Sequence, residues 1–129
     1  MTSKPLAAVL FDLDGTLADT AIDLAAALNQ LLLEEGRAAL PEAVIRPHVS
    51  HGTPALLGCG FGIDPQHPNF ATLRLRLLAL YEATIPGKTT LFPGIEALLQ
   101  LLEAHAIPWG VVTNKPAFLT DPLLKGMQL

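Results

Sequence analysis

The chain alternates between short unbroken apolar runs and longer stretches where apolar residues return every three or four positions. The first run, Leu6 to Leu13, contains Val9, Leu10 and Phe11 and predicts a buried strand over about 6–13. The rhythm changes in AIDLAAALNQLLLEEG, where Ile22, Ala25, Ala26, Leu28, Leu32 and Leu33 approximate one helical stripe. Thr20 is placed to cap this helix through its hydroxyl, Asp23 lies in the first turn where the helix dipole favours an acid, and Gly36 is a stop. Pro41 to Ile45 predicts a short helix, because Pro suits a first turn and Pro47 disfavours continuation. SHGTPALLGCGFG predicts a loop and then a short helix, with Thr53 as cap and Pro54 at its first position.

Phe70, Leu73, Leu77, Leu80 and Tyr81 recur at helical spacing and predict a long helix over about 69–84. IPGKTTLFPG is a connector rich in breakers. Pro93-Gly94 opens a further helix with Ile95, Leu98, Leu99 and Leu102 on its apolar face. IPWGVVTN reads as a second strand, over about 107–113, and Pro116 to about Lys125 as a last helix with Gly126 near its end. Two strands so far apart in sequence pair most naturally in parallel through a helical crossover. The helical block between them is too long for a simple crossover and reads as an inserted cap. The fold class is therefore α/β.

Composition narrows the function classes. Half of the 129 residues are hydrophobic and 16% are charged, which is a globular balance. The net charge is −4 and the eight Lys and Arg are scattered, so nothing points to nucleic acid. Cys59 is the only cysteine; it cannot form an internal disulfide, reads as a small apolar residue, and fits a reducing cytoplasm. The run Leu6 to Phe11 is too short for a membrane span or a signal peptide core.

The candidate chemistry lies where the first strand ends. Asp12 and Asp14 follow it two residues apart, then come Gly15, which permits a tight turn, and Thr16, which offers a hydroxyl. Ligands of open α/β sheets bind at such carboxyl ends. A phosphate fits beside two acids when a hard cation such as magnesium joins them. One carboxylate can then attack phosphorus and the other can handle the proton. For an isolated D-x-D, a turn followed by a helix cap accounts for the same residues.

The longer pattern VLFDLDGTLADT resembles the first motif of the haloacid dehalogenase-like hydrolases, hhhhDxDGT with h apolar. The resemblance implies a Rossmann-like core with Asp12 as nucleophile and Asp14 as general acid/base. It also implies magnesium bound by the Asp12 side chain and the Asp14 main-chain carbonyl. In WGVVTNKP, Thr113 matches the residue that hydrogen-bonds the transferring phosphoryl group in this family. The main chain at Asn114 is placed to help, since backbone N–H groups at a strand-to-helix turn form an anion nest. Lys115 reads either as a charge near the phosphate or as a surface residue at a helix start.

The helical block is similar to the small cap of the phosphoglycolate phosphatase-like branch. In RPHVSHGTPALL, the residues Arg46, His48, His51 and Thr53 are placed to reach a substrate acid or sugar, although taken singly each reads first as surface or structural. His67 and His105 have no supporting context. LFPGIEALLQLLEAHAIPWGVVTNKP resembles both phosphoglycolate phosphatases and N-acetylmuramic acid 6-phosphate phosphatases.

These resemblances imply a core over 1–18 and 89–129, a cap over 19–88, and a magnesium-dependent phosphatase working through an aspartyl-phosphate. The expected partner is a small phosphorylated metabolite, with no nucleic acid or membrane partner. The family's later lysine and acidic GD motifs are not found before Leu129, so the chain is expected to be a truncated, weakly active or inactive form. A phosphomutase of the same superfamily is an alternative that Thr16 argues against, since mutases more often carry DxDGV. A non-catalytic binding or regulatory remnant is another.

Overall fold

In the computed structural model, which describes residues 6–85 and 87–129, the two core strands pair in parallel. β1 (Val9–Phe11) and β4 (Trp109–Val111) are in register Val9↔Trp109, Leu10↔Gly110 and Phe11↔Val111. Residues 1–5, assigned to the core, and Pro86, assigned to the breaker-rich connector, lie outside the described residues.

Both strands are shorter than predicted, and for β1 the reason is local. After Phe11 the chain turns, and the Leu13 carbonyl accepts hydrogen bonds from the N–H groups of Thr16, Leu17 and Ala18 instead of a strand partner's. Gly15 makes this turn possible: its φ is +79°, and a Cβ there would lie 3.3 Å from the Ser50 Cβ. The turn feeds β2 (Ala18–Asp19), which pairs antiparallel with β3 (Thr90–Leu91). This ribbon brings the two ends of the long helical block together.

The helices stand where the periodicity places them, but two faces differ from expectation. α1 (Ala21–Glu34) buries Ala21, Leu24, Ala25, Ala27, Leu28, Leu31 and Leu32. Ile22, Ala26 and Leu33, read as part of its apolar stripe, face outward. Apolar residues stand on more than one side of this helix, so tertiary packing against α4 decides which stripe is inside. Thr20 also does not cap α1 through its side chain. Its hydroxyl donates to Asp14 Oδ1 at 2.8 Å.

α2 (Glu42–Ile45) follows Pro41 and runs into a 3-10 turn over Arg46–His51. α3 (Gly52–Phe61) starts directly from that turn, so Thr53 lies inside the helix and is not its cap. α4 (Phe70–Glu82) begins after Asn69, as expected. α5 (Ile95–Ala104) follows Gly94 and buries Leu99 and Leu102, while Leu98 is more exposed than its place in the predicted stripe implies. α6 (Ala117–Gly126) begins after Pro116.

Apolar contacts gather in two clusters. One joins α1, α3 and α4 around Leu28, Leu31, Leu57, Leu77 and Tyr81. The other joins Phe11, Leu13 and Leu17 to Leu99 and Leu102. α6 touches both, giving Leu119 to the first and Leu123 to the second. On β1, Phe11 meets Trp109 edge to face, with ring centroids 6.3 Å apart. Leu10 and Val112 are exposed, as expected for a sheet this narrow. Among the described residues, no helix is long and apolar enough to cross a membrane.

Candidate active site

The parallel register sends Asp12 and Thr113 out of the same ends of adjacent strands, just past the Phe11↔Val111 pair. Asp12 is exposed, and its Oδ1 accepts the Leu13 N–H at 2.9 Å. The next acid has a different environment. Asp14 is buried, and its Oδ1 accepts from Thr20 Oγ1 at 2.8 Å and faces Lys115 Nζ at 3.0 Å. Two carboxylates two residues apart thus differ sharply, one open and one held.

Lys115 is built into the site from three directions. Its backbone N–H donates to Thr113 Oγ1 at 3.0 Å, which tightens the turn after β4. Its ammonium donates to the Tyr81 hydroxyl at 2.8 Å and sits over the same ring. Its side chain is only 5% exposed, so the reading of Lys115 as a surface residue is overturned. Burial pulls the Lys115 ammonium below its ordinary value, and the Asp14 carboxylate opposes that shift by charge and hydrogen bond. Burial also pushes the Tyr81 phenol well up, with the Asp14 and Asp23 carboxylates acting in the same direction.

This cluster closes one side of a cavity of about 270 Å³. Asp14, Asn114 and Lys115 line it from the strand ends, Thr53 from α3, and Arg74 and Tyr81 from α4. Leu24, Val49, Leu56 and Leu78 supply apolar wall. Gly52 also lines it; with φ at +80°, a Cβ there would come 3.0 Å from the Asn114 Nδ2.

Asp12, Thr113, Arg46 and His51 are not among the residues lining this cavity. Arg46 is engaged elsewhere, 2.9 Å from Asp19 and paired with Glu42, so it ties β2 to α2. His51 is exposed at the end of the 3-10 turn, next to Gly52. Thr20, Arg74 and Tyr81 were not singled out as site residues from sequence. By periodicity Tyr81 is one more core position of α4, and its hydroxyl is the signal in the sequence for a polar partner.

Magnesium takes a near-octahedral set of oxygen ligands. Among the described residues, no group of three His, Cys, Asp or Glu side chains converges. Asp14 Oδ1 is occupied by Thr20 and Lys115, while Asp12 has no cationic partner among the described residues. These side chains do not form a complete magnesium site by themselves.

Comparison with known proteins agrees with this architecture. The chain is 40% identical over 124 residues to an N-acetylmuramic acid 6-phosphate phosphatase from Pseudomonas putida, covering 96% of the chain and 56% of that protein. It is 42% identical over 120 residues to a phosphoglycolate phosphatase from Xanthomonas campestris, covering 91% of the chain and 52% of that protein. The chain thus spans about half the length of these curated relatives. A solved haloacid dehalogenase-like family hydrolase from Streptococcus pneumoniae superposes with a TM-score of 0.76 at 27% identity, covering 95% of the chain and 56% of that structure. The family model described as haloacid dehalogenase-like hydrolase matches residues 9–129, taking in both acids after β1 and the Thr113 turn after β4; the chain belongs to that family.

Proposed function

We propose that this chain carries the nucleophile, the proton-transfer acid and the cap of a magnesium-dependent phosphatase acting on a small phosphate monoester. 2-Phosphoglycolate and N-acetylmuramic acid 6-phosphate are the substrates named for its relatives. In this reading residues 1–18 and 89–129 are core and 19–88 are cap, a division supported by the two apolar clusters. The observation that carries the proposal is the contrast between open Asp12 and held Asp14 beside the Thr113 turn.

Asp14 enters the cycle with a proton on Oδ2, leaving Oδ1 to Thr20 and Lys115; the Asp12 carboxylate attacks phosphorus and displaces the alkoxide oxygen, which takes that proton. Asp14 then takes a proton from the water that cleaves the aspartyl-phosphate, returning both acids to their starting state. The Thr113 hydroxyl and the main chain at Asn114 hold the phosphoryl oxygens. Asp12 and the Asp14 carbonyl are the magnesium ligands this chain offers. We propose a cytoplasmic location, in line with the single cysteine.

Titration calorimetry with both esters in the presence of Mg²⁺, joined to a phosphate-release assay, tests the reading. Saturable binding of one ester, with any phosphate release abolished by Asp12→Asn, is the expected result. Binding of neither ester, or release that Asp12→Asn leaves unchanged, overturns it.

A further inference from the structure

The cavity beside Asp14 holds one charge that none of the described residues balances. Its lining carries two cations, Arg74 and Lys115, and one carboxylate, Asp14. Lys115 and Asp14 are paired at 3.0 Å. Arg74 is half-buried on α4 and makes no ion pair or side-chain hydrogen bond with the described residues. The other three arginines each have a partner. Arg37 stacks on Phe61, Arg46 bridges Asp19 and Glu42, and Arg76 bridges Glu34 and Glu35.

A guanidinium stays charged at any usable pH and presents donors in a planar fork that matches a carboxylate. Beside Leu78 and the other apolar wall residues, water competes poorly for that fork, so an incoming anion is held more firmly than at an open surface. Asp14 and Asn114 occupy the side of the cavity next to the strand ends, while Arg74 comes from α4.

We infer that Arg74 selects substrates by binding a carboxylate on the leaving group, while the phosphoryl group lies at the strand ends. The inference rests on the phosphatase reading above and deepens it. Both ester classes named there carry a carboxylate as well as a phosphate, and of the two cations lining the cavity Arg74 is the one with no ion pair among the described residues.

Calorimetric titration of the 129-residue protein with 2-phosphoglycolate and with ethyl phosphate, which lacks the carboxylate, separates the possibilities. The wild-type protein is expected to bind 2-phosphoglycolate about tenfold more tightly, the affinity ratio that about 1.4 kcal/mol confers. Arg74→Gln is expected to bring the two esters within about twofold by weakening 2-phosphoglycolate alone, and Arg74→Lys to keep part of the preference. Melting curves check that both variants remain folded. Equal weakening of both esters by Arg74→Gln, or a carboxylate preference that survives it, overturns this inference and leaves the phosphatase reading standing. Failure of the wild-type protein to bind either ester overturns both.

Discussion

The Lys115 ammonium and the Asp14 carboxylate face each other at 3.0 Å, both nearly removed from water, and join the turn after β4 to the turn after β1. Removing one partner leaves the other charged and buried, at a cost of about 3–5 kcal/mol. Lys115→Met is therefore expected to lower the urea midpoint strongly. The double variant Asp14→Leu with Lys115→Met, which removes both charges, is expected to recover most of that loss. A Lys115→Met protein as stable as wild type would show that the pair does not exist in solution.

Alkaline pH provides a second probe of the same cluster. Burial depresses Lys115 below its ordinary 10.5, so the folded protein binds this proton less tightly than the unfolded chain. Stability from this group is lost as pH falls through the folded value, and gained as pH rises from there to 10.5. Tyr81 works in the opposite sense. Its folded value is raised above the ordinary 10.0, so its contribution is complete below pH 10.0 and declines above it. The expected profile of unfolding free energy climbs on the alkaline side and then falls. Tyr81→Phe should remove the falling limb, and Lys115→Met the climbing one. Urea titrations across this range check both.

Much of this arrangement is written in short-range pattern. Each helix is marked by periodicity or by a breaker such as Pro41, Gly94 or Pro116, because those signals act within a turn or two. The acids after β1 were equally plain, since an apolar run ending in FDLDGT is local information. What local pattern does not contain is the choice among long-range partners. In α1 apolar residues fill both sides of the helix, so only packing against α4 shows that Leu24 and Leu31 face inward while Ile22 and Leu33 do not. Lys115 and Tyr81 become site residues only when α4 and the β4 turn meet, which no window of sequence displays.

Asp23 illustrates the same limit and yields its own prediction. Its expected role was to complement the helix dipole from the first turn of α1. It is buried, and accepts the Lys88 N–H at 2.8 Å and the Thr89 hydroxyl at 3.0 Å, anchoring a segment 65 residues away. Asp23→Ala leaves these donors without their acceptor and is expected to cost about 1–3 kcal/mol. A dipole contribution alone is worth about 0.3–1 kcal/mol. Hydrogen exchange at the Lys88 amide distinguishes the two, because only loss of the anchor speeds exchange there.

Thr20 separates a capping role from a site role most directly. A cap supports the first turn of α1 whether or not Asp14 is charged, so Thr20→Val and Asp14→Asn would then destabilise independently. The hydroxyl instead donates to Asp14 Oδ1, and Thr20 is fully buried. Once Asp14 is Asn, the charge-assisted part of that bond is already gone, and Thr20→Val has less left to remove. The double variant should thus be more stable than the sum of the single losses predicts, with a coupling of about 0.5–3 kcal/mol. Valine keeps the shape of threonine, so cavity effects stay small and the coupling reports the hydrogen bond. A coupling near zero would return Thr20 to the role of helix cap and leave Asp14 held by Lys115.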